Sequence, residues 1–226
     1  MKVLHERELV YKLDKILKKK FGTNLAFHEF SAGYGIADLV FAGDFSFNKN
    51  SVKRTPLTDF NCLNLFLTLE DENVYSLNDI QTLFIELTLG EIKKQIRTLI
   101  NSKYIRKIGN QKYQKIVTKN EINPINKIIA VEVKLSDHRG GLTQARRYQY
   151  FADESYLAIL KEAEKNINFN EFNKYNIGLI LFDIKTNSVE IKYPNQTNNN
   201  FEKRVSLFAK EMMFSKYIST TSQIAV

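Results

Sequence analysis

The segment Lys127–Leu135 reads KIIAVEVKL, an apolar and β-branched run that opens on Lys127 and carries two charges, Glu132 and Lys134, in its interior. Its composition and length predict a strand that should be buried. Side chains alternate along a strand, so Glu132 and Lys134 share one face. A second run, Gly35–Phe41, reads GIADLVF and plants Asp38 among apolar neighbours. A buried charge costs several kcal/mol unless it is paired or bound to a metal. Two strands that each carry charge into an apolar run imply that the charges meet.

The elements around these runs set the architecture. Residues 2–20 read as an amphipathic helix with Leu9, Leu13, Ile16 and Leu17 at helical spacing. Lys18, Lys19 and Lys20 fall in its last turn, where the helix dipole favours cations. Strands are expected at 24–30 and 36–41, joined by a glycine-bearing loop, and again at 127–135. A basic loop, 137–141, then a helix over 142–152 and a strand over 155–160 follow. A strand pair at 177–183 and 188–193 and a final helix over 201–218 complete the outer segments. Between them, residues 60–118 change character to three helices and a short ribbon turning at Gly109-Asn110. Thr88 and Glu91 have capping-box spacing ahead of the third helix. Polar stretches at 44–58 and 120–126 read as linkers, and 195–200 as a spacer. The expected organisation is an α/β core from residues 1–58 and 119–226, interrupted by an inserted domain at 59–118.

Composition narrows the function classes. Apolar residues make up 43% and charged residues 26% of 226, which argues against wholesale disorder. No run approaches the roughly 20 apolar residues that span a bilayer. The charged start is unlike a secretory signal. The single cysteine, Cys62, excludes an intramolecular disulfide and a cysteine-rich zinc site, and a cytoplasmic location is expected. The formal charge of +8 suits a polyanionic partner, nucleic acid before an anionic membrane surface.

Two carboxylates converging at strand ends make a hard, oxygen-rich site suited to Mg²⁺ or Mn²⁺. Such a metal activates water and stabilises charge on a phosphate. A neighbouring lysine can orient the water or balance developing negative charge. The plainer reading of the same residues is a buried ion pair without function.

Asp38 on the second strand, Glu132-Val133-Lys134 on the third, and Gln144 and Tyr148 four apart on the following helix resemble the PD-(D/E)XK nuclease-like superfamily. The resemblance covers residues 1–43 and 127–185. Ala37 stands where the motif's proline often lies. The resemblance implies a restriction-endonuclease-like core, a helix and then a mixed central sheet flanked by helices. It implies Asp38 and Glu132 as metal ligands, with the Val133 carbonyl as a third. Lys134 would position or polarise the attacking water. Glu6, at one end of the first helix's core stripe, is either a further acidic residue near the metal or a solvated one. Gln144 would orient the site or touch phosphate, and Tyr148 is read as packing.

Residues 60–118 resemble a winged helix-turn-helix, with a recognition-like helix at 89–102 and a wing near Gly109. From Thr88 to Lys119 the cations are Lys93, Lys94, Arg97, Lys103, Arg106, Lys107, Lys112, Lys115 and Lys119, against one acid, Glu91. Lys93, Lys94 and Arg97 avoid the Ile92/Ile96/Leu99 face, and the lysines and arginines of this run, with Lys103, Arg106, Lys107 and Lys112 among them, would meet phosphates. Gln95 and Arg97 are the candidates for base edges. His138, Arg139, Arg146 and Arg147 follow the charged strand, and the three arginines are further candidates for the backbone; His138 is read as a solvent-exposed loop residue.

The expectation is therefore a Mg²⁺- or Mn²⁺-dependent endodeoxyribonuclease-like phosphodiesterase. Its winged-helix insert would bind double-stranded DNA, without membrane association and with homodimerisation open. The alternative is a non-catalytic DNA-binding or protein-interaction protein on the same fold.

Overall fold

The computed structural model describes residues 5–45, 54–118, 124–193, 195–196, 198 and 202–224. Lys119, most of the second linker and parts of the first linker and the spacer lie outside the described residues. The chain divides into two compact units: Met1–Ser46 with Ile125–Ala209, and Phe47–Pro124 with Lys210–Val226.

The first unit is built on a six-stranded mixed sheet. Helix α1 (Glu6–Lys20) precedes strands β1 (Ala26–Ser31) and β2 (Ile36–Gly43), and β6 (Lys127–Lys134) follows the second unit's first segment. Helix α5 (His138–Tyr148), β7 (Glu154–Leu160), a 3-10 turn (Lys161–Asn166), α6 (Phe169–Tyr175), β8 (Gly178–Asp183) and β9 (Ser188–Tyr193) come next. The strand order is β1-β2-β6-β7-β8-β9. The β6–β7 and β7–β8 pairs are parallel and the other three antiparallel.

Alternation along the strands supplies both faces of the sheet. Leu39, Phe41, Ile129, Val131, Val133, Ala158, Ile180 and Phe182 pack with Leu9, Leu13 and Leu17 of α1. Leu157, Ile159, Leu179 and Leu181 pack with Leu142 and Ala145 of α5 and Phe172 of α6. Asp38, Glu132 and Lys134 occupy the positions between residues of the α1-facing set. The pleat therefore turns all three toward the α5 face.

Helix α5 begins four residues earlier than the sequence reading expects. Asp137 caps it by accepting the Gly140 amide at 2.9 Å, so the expected basic loop is the helix's first turn. The glycines that read as a loop signal serve packing. A Cβ on Gly141 would lie 2.5 Å from Leu157 and 2.9 Å from the Lys134 stem, so only glycine lets α5 lie this close to β6 and β7.

In the second unit, α2 (Phe60–Thr68), β3 (Val74–Ser76), α3 (Leu77–Leu83), α4 (Leu89–Asn101), β4 (Ile105–Gly109) and β5 (Lys112–Lys115) form three helices and a small antiparallel sheet, ordered β3-β5-β4. Strand β3 is absent from the sequence reading. It is three residues long and runs directly into α3, whose N-cap is its last residue, Ser76. Leu63, Phe66, Ile80, Ile92, Ile96, Leu99 and Tyr104 are buried. Helix α7 (Lys203–Ile224) is assigned whole to the α/β core by the sequence reading, yet its residues from Lys210 onward belong to this second unit. The reason is Glu211, whose fully buried carboxylate accepts two bonds from Arg54 at 3.0 Å, the Tyr104 hydroxyl at 2.6 Å and the Leu57 amide at 2.7 Å.

Candidate functional site

The candidate centre forms where the β2–β6 ladder ends. Their paired register runs from Gly43↔Lys127 to Leu39↔Val131 and stops there. Continued by one step, it would set Asp38 opposite Glu132. Instead Asp38 Oδ2 accepts the Val133 amide at 2.7 Å, so a side chain replaces the missing ladder bond. Among the described residues no hydrogen bond engages its Oδ1. Glu132 is almost wholly buried. One of its oxygens meets Lys134 Nζ at 2.6 Å and the other receives the Tyr148 hydroxyl at 2.5 Å. The same hydroxyl lies 2.7 Å from the Ile36 carbonyl, which ties α5 to the start of β2. Tyr148 therefore positions Glu132 as well as packing.

Burial pushes the pKa values of Asp38 and Glu132 upward, against the hydrogen bonds that favour their ionised forms. For Lys134, burial works against the charge. The bond to Glu132 and the Glu6 and Asp38 carboxylates outweigh it, and its pKa is held above the ordinary lysine value. Lys134 is thus an ammonium at neutral pH. It can donate hydrogen bonds and balance negative charge, and it has no lone pair for use as a base.

Glu6, exposed in the first turn of α1, reaches to 4.0 Å from Lys134 Nζ. Gln144 is half-buried on α5, three residues after Gly141 and four before Tyr148, on the helix face that meets β6. A further acid, Glu29, is missing from the sequence reading. It falls in β1 at the register position facing Asp38, between the pairs His28↔Leu39 and Phe30↔Ala37, with φ of 48°. Its charge adds to the upward push on Asp38. Counting pairs outward from the Gly33-Tyr34 turn would have found it.

Among the described residues no three His, Cys, Asp or Glu side chains are arranged to hold a metal ion. The available donor set is two carboxylates and the Val133 carbonyl. That set is all oxygen. In donor chemistry it fits a hard divalent cation. The free thiol Cys62 takes no part: it is buried and its pKa is pushed to about 12.

The arginines Arg139, Arg146 and Arg147 lie on the exposed side of α5, with His138 in its first turn. In the second unit, Lys93, Lys94 and Arg97 are exposed while Ile92, Ile96 and Leu99 of the same helix are buried. Lys93, Arg97 and Lys107 line a groove of about 350 Å³ with Gln111 and Tyr113. Lys103, Arg106 and Lys112 are exposed, and Arg106 is bonded to Gln114 at 2.8 Å. Two expectations are corrected. Gln95 is 7% exposed, with its amide directed at Asp59 3.5 Å away, so it cannot read a base edge. Lys115 is buried in an ion pair with Asp71 at 3.0 Å and lies over the Phe66 ring.

No protein family, curated protein sequence or solved structure matches this chain. No described helix is long and apolar enough to cross a membrane.

Proposed function

We propose that the chain is a metal-dependent nuclease of the PD-(D/E)XK kind that hydrolyses DNA phosphodiester bonds. The observation that carries this reading is the meeting of Asp38, Glu132 and Lys134 on one sheet face, with Lys134 held as a cation beside two buried carboxylates. The order of helix, antiparallel strands, β6, α5 and parallel β7 supports it.

Asp38, Glu132 and the Val133 carbonyl would hold Mg²⁺ or Mn²⁺. When bound, such a cation supplies Lewis acidity at the phosphate and lowers the pKa of water. The chain's own residues do the rest. The Val133 amide fixes the Asp38 carboxylate, and Tyr148 fixes that of Glu132. Lys134 offers an ammonium to the charge that develops on the phosphoryl oxygens. The second unit reads as a winged helix that presents Lys93, Lys94 and Arg97 of α4, with Lys107 of the β4–β5 ribbon, to duplex phosphates.

A non-catalytic DNA-binding protein on the same framework is the second reading. The observation favouring it is that both oxygens of Glu132 are already bonded within the chain. A plasmid-nicking assay separates the two. The nuclease reading expects cleavage in Mg²⁺, none in excess EDTA, and loss in Asp38→Asn and Glu132→Gln while duplex binding persists. Wild-type binding without cleavage in Mg²⁺ or Mn²⁺ selects the second reading.

A further inference from the structure

The first unit has a second feature that the catalytic proposal does not use. On the side of α5 turned away from the sheet lies a cleft of about 890 Å³, lined by Thr143, Arg146, Arg147 and Tyr150 of the α5 region and by Lys174 and Tyr175 at the end of α6. Its cations are arranged on aromatic rings. The Arg146 guanidinium lies 3.7 Å from the Tyr175 ring centroid and Lys174 Nζ 5.2 Å from it. Tyr150 is 53% exposed and stacks on Tyr34 of the β1–β2 turn, with ring centroids 4.6 Å apart and planes within 13°. Among the described residues, no carboxylate forms an ion pair with Arg146, Arg147 or Lys174.

The wall is held firmly. The Gln149 side-chain amide donates to the Tyr175 and Asn176 carbonyls at 2.9 and 3.2 Å, and Asn198 donates to the Gln149 carbonyl at 2.7 Å. The cleft is thus a preformed concavity with three cations and two flat platforms, the Tyr34–Tyr150 stack and the Arg146–Tyr175 stack. Cations alone would suit any phosphate. Exposed rings and a stacked guanidinium add recognition of π-faces, which a duplex keeps turned against its own neighbouring bases.

We infer that this cleft binds single-stranded nucleic acid, with bases stacking on Tyr150 and on the Arg146 guanidinium while Arg147 and Lys174 meet phosphates. The inference goes beyond the nuclease reading, because it requires neither metal nor cleavage.

The test is fluorescence anisotropy on the full chain in EDTA, with labelled dT12, labelled rU12 and a labelled abasic 12-mer. Wild type should bind dT12 or rU12 more tightly than the abasic chain. Tyr150→Ala should weaken the base-bearing oligomers by about 5- to 150-fold, the range for losing one stacked base, and leave the abasic chain unaffected. The triple variant Arg146→Gln/Arg147→Gln/Lys174→Gln should weaken all three probes and flatten their salt dependence, by about 0.7 of a unit of slope for each phosphate no longer neutralised. The substituted tyrosine and arginines are exposed surface residues, and circular dichroism checks that the variants remain folded. The inference is overturned if wild type binds none of the probes, if Tyr150→Ala leaves dT12 and rU12 unchanged, if it weakens the abasic chain equally, or if the triple variant changes nothing. The nicking assay reads the carboxylate site independently, so either result stands without the other.

Discussion

At the scale of single residues, the candidate centre depends on Lys134 offsetting Glu132. The Glu132 side chain is 2% exposed and that of Lys134 16%. Removing one partner of a buried pair costs about 3–5 kcal/mol, chiefly because the other charge stays buried. Lys134→Met should therefore destabilise the first unit by about that amount, whereas Glu132→Gln with Lys134→Met should recover much of the loss. Urea denaturation of the two single variants and the double variant measures the coupling. A double variant no more stable than Lys134→Met would show that the pair carries no such coupling. These residues are legible in the sequence because charges inside apolar strands are costly and so stand out. Glu29 does not stand out in that way, since an acid in a strand of mixed polarity carries no burial signal; only its register opposite Asp38 marks it. Tyr148 looks like packing because a helical spacing cannot show where a hydroxyl ends.

Among elements, α3 and α4 show how local chemistry fixes helix ends that are legible in the residues themselves. Thr88 with Glu91 and Ser76 with Asp79 form complete capping boxes. Hydrogen bonds from Thr88 hold the pKa of Glu91 below the usual glutamate value, and bonds from Ser76 do the same for Asp79. A carboxylate with a depressed folded pKa stabilises above its unfolded pKa and loses that contribution as pH falls through the folded one. The caps should therefore weaken only as the solution is acidified below the ordinary carboxylate range. NMR titration should give Glu91 and Asp79 midpoints below those of an unfolded peptide, and Thr88→Ala should move Glu91 part of the way back toward the ordinary value, because the hydroxyl bond is lost and the backbone bond remains. Helix α4 also separates two kinds of polar residue. Lys93→Ala/Lys94→Ala/Arg97→Ala should weaken duplex binding and lower its salt slope. Gln95→Ala should leave the slope intact and reduce stability instead, because it removes a buried side chain and its part-buried contact with Asp59. Anisotropy across a salt series, with thermal melts, distinguishes them. Sequence alone does not separate Gln95 from Arg97, since the α4 core stripe is wide enough to take in a polar neighbour. Helix α6 is hidden for the opposite reason: seven residues with Phe172 as the buried anchor make too short a pattern.

For the molecule as a whole, the division into units follows packing rather than the order of segments. Residues 210–226 read with the α/β core in sequence because a long helix gives no sign of where its partners change. The deciding group is Glu211, which gathers Arg54, Leu57 and Tyr104 from a segment over a hundred residues earlier in the chain. Glu211→Leu would leave the Arg54 guanidinium, 6% exposed, without its counter-ion and the Tyr104 hydroxyl without its acceptor. The expected loss is about 3–5 kcal/mol in the second unit, read by hydrogen exchange at α2 and α4 amides. Exchange in the β6–β8 strands of the first unit should respond less.

The Arg54–Glu211 pair has a consequence in time. A ribosome delivers residues 54–118 early, but the carboxylate that neutralises Arg54 emerges only after β6 to β9 have been made. At the end of that interval, with β9 made and Lys210 still to come, the basic unit lacks its last helical segment while the six-stranded sheet already has every strand. Chains released from the ribosome after β9 and before Lys210 should therefore protect the sheet from protease while leaving the α2–α4 region open to it. Protection there should arrive with the segment carrying Glu211, so any grip on a polyanion through α4 would mature after the carboxylate site has been assembled.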